Sequence, residues 1–243
     1  MSRLTASELL ELADALRGRP AEERALVLLA ACRPEGAAGA ALAEMPLGLR
    51  DLHLLALFRE NFGPTLDGVA PCPACAAPLE VAVAVDDVWV GPGAAQRAGL
   101  FEWRAGGWRV TFRLPTTADL MAVQGEADPA EALRARVIAA VEGPEGPAGL
   151  AELPQAARAA WEAEVEALDP QAEVRLSLTC AACQHPFRVP LEAHRFLAYE
   201  AERRAQFILQ EIHLLASAYG WTEDAILALS DARRRRYVEL VTS

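Results

Sequence analysis

With 243 residues the chain can bury one sizeable core or two small ones, and its hydrophobic share of 53%, rich in alanine, points to helices packed through small side chains. Acidic residues outnumber basic ones by 34 to 23, every basic side chain except histidine is arginine, and the net charge of −11 repels a phosphate backbone except at a local basic patch. There is no run of 18 apolar residues for a membrane span, and MSRLTASELLELADAL lacks the apolar block and cleavage site of a signal peptide, so a reducing cytoplasm is expected, where cysteines are thiols or metal ligands.

Residues 1–63 predict a helical N-terminal region. Thr5 and Glu8 have capping-box spacing ahead of LLELADAL, Gly18 ends that run, and Pro20 opens a second helix, AEERALVLLAA. Cys32, at the end of this apolar helix, reads as a small buried hydrophobe. A Gly/Ala-rich link leads to LRDLHLLALFRENF, whose Leu49, Leu52, Leu55 or Ala56, and Phe62 form an apolar stripe, and Gly63-Pro64 terminates the helix. His53 reads there as a packing or surface side chain.

Over 64–115 the hydrophobic period falls to two. LEVAVAV alternates, and FEWRAGGWRVTFRL predicts a hairpin around Ala105-Gly106-Gly107, with Trp103 and Trp108 facing each other across it. Residues 116–171 read as a helical insertion: Thr116 or Thr117 caps one helix, Asp128-Pro129 opens AEALRARVIAAV, EGPEGPAG is a loop, and LPQAARAAWEAEVEAL is another helix. Residues 172–191 return to a strand, VRLSLT, followed by PFRVPL. Residues 192–243 form a C-terminal helical unit, its long first helix ended by Gly220.

Four of the five cysteines fall in two matching stretches, CPACAAPLEV from Cys72 and CAACQHPFRV from Cys180, which share C-x-x-C-x-x-P, an apolar residue, a charged residue and valine. A C-x-x-C turn aims two thiolates at one metal, so two such turns supply the four ligands of a tetrahedral zinc site: Cys72, Cys75, Cys180 and Cys183. The 104 residues between the pairs do not forbid this. Closing a loop of ~100 residues costs about 4 kcal/mol, whereas a structural zinc contributes about 10–16 kcal/mol. Thiol redox chemistry fits less well, because a redox C-x-x-C opens a helix and both pairs here run into strand patterns. The expected fold is therefore α+β: a small zinc-ribbon-like β core of two knuckles, with helices before, between and after them. Four thiolates leave a zinc no open position, and no metalloprotease, nucleophile-elbow, phosphate-loop or dinucleotide motif is present, so no catalytic residue is assigned. His185 reads as a surface or supporting residue, and His194 and His213 as structural.

Four arginines, Arg233 to Arg236, lie in the last helix, DARRRRYVEL, where a solvated face or a protein contact is a better fit than a DNA reader. The ordered set LLALFRENFGPTLDGVAPCPACAAPLEV, FRLPTTADL, LDPQAEVRLSLTCAACQHPFRVPLEAHRFLAYE and EIHLLASAYGWTEDAILALSDARRRRYVELV resembles a family of phage-tail baseplate proteins, described as baseplate hub assembly chaperones of the T4 type and found in phages and phage-derived contractile injection systems. It spans about residues 49–242 and leaves the first 48 outside. The most specific part is the tail, with Glu211, His213, Leu215, Ala216, Tyr219, Gly220, Trp221, Ile226, Leu227, Leu229 and Ser230. Two C-x-x-C pairs are common in this family. The resemblance implies a non-enzymatic protein of contractile-tail assembly, acting in the bacterial cytoplasm or kept in the particle, with baseplate or tail hub proteins as partners. The Gly220-Trp221 corner and the Arg233–Arg236 helix are expected to form a contact surface or to pack the tail on the core, with Trp221, Arg233, Arg234, Arg236 and Tyr237 the candidate protein contact and Trp221 as a buried anchor between helices the plainer alternative. A zinc-ribbon module for nucleic acid or the transcription machinery is the runner-up; beside the knuckles it has Arg175, Arg188 and Arg195, but also Glu80, Asp86, Asp87, Glu173 and Glu192. A thiol oxidoreductase is third.

Overall fold

A computed structural model describes residues 3–32, 39–93 and 99–242; the start of the Gly/Ala-rich link, 33–38, lies outside them. The N-terminal helices are α1 (Ala6–Leu16), α2 (Ala21–Ala31), the short α3 (Ala40–Ala43) and α4 (Leu47–Phe62). The Thr5 hydroxyl accepts the Glu8 N–H at 3.2 Å and the Glu8 carboxylate accepts the Thr5 N–H at 2.9 Å, which satisfies two of the donors left free at the start of α1. Next come β1 (Thr65–Pro71), β2 (Pro78–Ala84), α5 (Val85–Val88), β3 (Phe101–Ala105), β4 (Trp108–Phe112), α6 (Thr117–Ala122), α7 (Pro129–Val137), β5 (Ile138–Gly143), β6 (Gly146–Ala148) and α8 (Gln155–Leu168). The chain closes with β7 (Arg175–Thr179), β8 (Pro186–Pro190), α9 (Ala193–Tyr219), α10 (Glu223–Leu227) and α11 (Asp231–Thr242). Among the described residues, helices mix with three small antiparallel sheets: β1-β2, β3-β4-β5-β6 and β7-β8. Among the described residues no helix is long and apolar enough to cross a membrane.

The main core gathers α1, α2, α4 and the first half of α9. Leu12 and Leu16 meet Leu28 and Leu29, Leu54, Leu55 and Phe58, and Leu197. Ala198, Ala201 and Ala205 line the buried side of α9, where small side chains let neighbouring helices approach closely. The second half of α9 buries Ile208, Ile212 and Leu215 with Leu9 and Ile226. Gly220 ends α9 in the left-handed conformation (φ 66°) that glycine adopts without a Cβ clash.

The chain between the cysteine pairs has its own core. Phe112, Val110, Trp103 and Val141 of the four-stranded sheet pack against Trp161 of α8, with the Phe112 and Trp161 rings edge-on at 5.7 Å. Residues 138–148, expected as a helix end and a loop, are instead the hairpin β5-β6. Ile138 and Val141 are β-branched and fit a pleated, half-buried surface better than a helix. Pro147 is tolerated because β6 is a three-residue edge strand. Trp103 faces Val110 and Trp108 faces Ala105, so the two tryptophans do not pair. Trp108 lies over Gly143, where a Cβ would come within 3.1 Å of its ring.

Candidate metal centre

Each cysteine pair sits in the turn of a two-stranded hairpin. The β1-β2 register runs from Thr65↔Ala84 to Pro71↔Pro78, and the β7-β8 register from Arg175↔Pro190 to Thr179↔Pro186. The six-residue turns, 72–77 and 180–185, have the same internal bonds. Cys72 N–H donates to Ala77 C=O (2.9 Å) and Ala76 N–H to Cys72 C=O (2.8 Å); Cys180 N–H donates to His185 C=O (3.0 Å) and Gln184 N–H to Cys180 C=O (2.8 Å). Ala76 (φ 58°) and Gln184 (φ 60°), each just after the second cysteine, are the described non-glycine residues with positive φ. That conformation costs an L-residue about 1–2 kcal/mol, and here it reverses the chain after the second cysteine so that Ala77 and His185 come back to accept the N–H groups of Cys72 and Cys180. The matched stretches of sequence are thus matched pieces of backbone.

The two turns meet. The four sulfurs all lie within 4.8 Å of one another, with Cys72–Cys183 and Cys75–Cys180 each at 3.6 Å. A tetrahedron with metal–sulfur bonds of about 2.3 Å has edges of about 3.8 Å, so this cluster can hold one metal ion with little rearrangement. Cys72 and Cys180 are buried, while Cys75 and Cys183 are exposed. The Cys180 thiol is drawn down to about 7 by the N–H groups of Cys183 and Ala182. The Ala77 N–H favours the Cys75 thiolate and the equivalent His185 N–H favours that of Cys183. Both thiols are nonetheless pushed up by the sulfurs beside them, Cys183 to about 12. Four crowded sulfurs cannot all ionise alone; a cation at their centre stabilises all four thiolates. Tetrahedral four-sulfur sets of this kind suit zinc or iron.

His185 contributes its backbone carbonyl, and its ring stacks on Phe187 at 6.4 Å. Cys32 is buried away from the cluster, and burial pushes its thiol up to about 12. His194 is buried with both ring nitrogens unpartnered, and burial, with Arg50 nearby, lowers it to about 4. Beside the knuckles, Arg175 pairs with Glu173 and Arg195 with Glu192.

The tail residues fall into two groups. Trp221 is half-buried, stacked on Tyr219 at 4.8 Å and met edge-on by Tyr237 at 5.0 Å. Arg234, a candidate contact residue on a helix expected either to form a contact surface or to pack the tail on the core, does the latter: it is only 1% exposed, its guanidinium binds Glu211 at 2.6 Å, fastening α11 to α9, and Asp231 of its own helix at 3.0 Å. Arg233 and Arg236 are exposed, because α11 turns only one of its four arginines toward α9.

A polar seam where the chain between the cysteine pairs rejoins the helical body was not anticipated. The Gln171 side chain donates to Val88 C=O (3.1 Å) and accepts the Val90 N–H (2.8 Å), while the Asp169 carboxylate accepts the Gly48 N–H at 3.0 Å. A Cβ on Gly48 would lie 1.9 Å from Asp169 Oδ1. Nearby, buried Arg50 bonds Asp51 (2.7 Å) and Thr117 (3.3 Å) and lies 3.7 Å from Glu22. One cation serves several carboxylates, so burial raises Asp51 and Glu22 and pushes Asp169 up to about 6. In the sequence, LDPQAE shows a helix stop and nothing of this seam.

Neither protein-family models, nor curated proteins, nor solved structures give a match to this chain.

Proposed function

We propose that this protein is a non-enzymatic baseplate protein or assembly chaperone of a contractile, phage-like tail, braced by one structural zinc and acting through protein–protein contacts. The resemblance of its ordered segments over residues 49–242 supports the tail assignment. The observation that carries the bracing role is the four-sulfur cluster, formed by the cysteine pairs that the resemblance also singles out. When bound, the zinc would supply a rigid joint: Cys72 and Cys75 hold one hairpin, Cys180 and Cys183 the other, and all four positions are filled by protein. A nucleic-acid role is disfavoured, since two of the three arginines beside the knuckles are neutralised by their own glutamates.

The test is affinity purification from cells expressing a whole contractile-tail gene cluster, with metal analysis of the same sample. One zinc per chain and co-elution with baseplate or tail hub proteins is the expected result. Zinc without any tail component would remove the assembly role and leave the braced scaffold. A chain purified with iron would overturn the metal assignment.

A further inference from the structure

We propose that the outer face of α11 docks an acidic, amphipathic helical segment of a partner protein; this rests on the protein–protein reading above and specifies the chemistry of the partner. Arg233, Arg236, Tyr237 and Leu240 follow the three- and four-residue spacing that places them along one side of a helix. Leu240 is 69% exposed, among the most exposed large hydrophobic side chains described, and Tyr237 joins the stripe to the Tyr219–Trp221 stack. The surface is thus two guanidinium groups beside an aromatic floor and an exposed leucine.

The charge of the stripe is unusual for this chain. Carboxylates are in excess, and most described arginines have one within 4.0 Å: Arg59 with Asp86, Arg109 with Glu142, Arg203 with Glu200. Arg233, Arg235 and Arg236 have no such partner among the described residues. Unpaired guanidinium forks match carboxylates two bonds at a time. The stripe is also held rigid, because Arg234 pins α11 onto α9 through Glu211, which lowers the ordering cost of binding. An acidic helix with leucines at matching spacing satisfies the arginines and covers Leu240 together. A nucleic acid would satisfy the arginines alone, against a net charge of −11.

The test uses the full metal-bound chain and fluorescence anisotropy with three probes. These are an 18-residue glutamate/leucine peptide with leucines at helical spacing, the same composition with that spacing scrambled, and a 20-nucleotide oligothymidine. The spaced peptide is expected to bind best. The double substitution Arg233→Glu, Arg236→Glu should weaken it by roughly tenfold, and Leu240→Ser by about threefold. Arg235→Glu, on the other flank of α11, should change it less than twofold, and circular dichroism checks that all variants fold. Equal binding of the two peptides, no binding of either, or an Arg235→Glu loss matching the double variant would overturn the proposal. Oligothymidine binding at least as tight as the spaced peptide would reassign the stripe to nucleic acid. Peptide binding without tail co-purification would defeat the tail assignment and leave this surface standing; the reverse outcome would do the opposite.

Discussion

Replacing Asp169 with asparagine should stabilise the protein at neutral pH. In the folded chain the Asp169 carboxyl is pushed up to about 6 from an ordinary 3.8, first by burial, against the help of the Gly48 N–H, with Asp51 raising it further. A raised carboxyl contributes its full stability below about pH 4 and loses it as pH climbs through 6, because the folded state must then hold a buried charge. A displacement of about 2 pH units corresponds to about 3 kcal/mol. The asparagine side chain is neutral at every pH and keeps a carbonyl oxygen for the Gly48 N–H. Asp169→Asn and wild type should therefore have equal unfolding free energies near pH 4 and diverge to about 3 kcal/mol in favour of the variant by pH 8. Urea unfolding of the metal-bound protein at pH 4, 6 and 8 measures this. A variant less stable than wild type at pH 8 would refute the reasoning, since it would mean that the charged form is the one the seam is built for. Gly48→Ala probes the same contact from the other side and should destabilise at every pH, because its Cβ has no room beside Asp169.

Two further predictions concern the metal joint and the tail. Leu79, Val81, Leu178, Phe187 and Val189 are half-buried in the hairpins and belong to none of the three apolar clusters, so a strong chelator should speed amide exchange over 66–83 and 175–190 while α9 stays protected; loss of the helical circular-dichroism signal would contradict this. Arg234→Leu should lower stability by about 3 kcal/mol in thermal or urea unfolding, because Glu211 loses the partner that compensates its partial burial, whereas Arg233→Leu should change it by less than about 0.5 kcal/mol.

The features read correctly from the sequence are those whose causes lie within a few residues. The Thr5–Glu8 capping box, the Gly220 stop and the β3-β4 hairpin at Gly106-Gly107 each follow from local hydrogen bonding or an allowed φ. The hairpin β5-β6 was missed because a three-residue edge strand with proline carries almost no alternation of its own; only pairing with β4 makes it a strand. Arg234 could not be told from Arg233 in an unbroken run of arginines, since the choice depends on which side of α11 faces Glu211 on α9.

The cysteine pairs divide the same way. From the sequence alone come the two like turns, their strands and their capacity for two ligands each, because C-x-x-C-x-x-P constrains its own backbone. That Cys72 comes to lie beside Cys183, and Cys75 beside Cys180, was decided by tertiary structure. Loop-closure entropy permits that meeting across 104 residues but does not require it; what brings the hairpins together is their common seat on the helical body, where Leu66 and Val83 of one and Leu176 of the other pack on the same core.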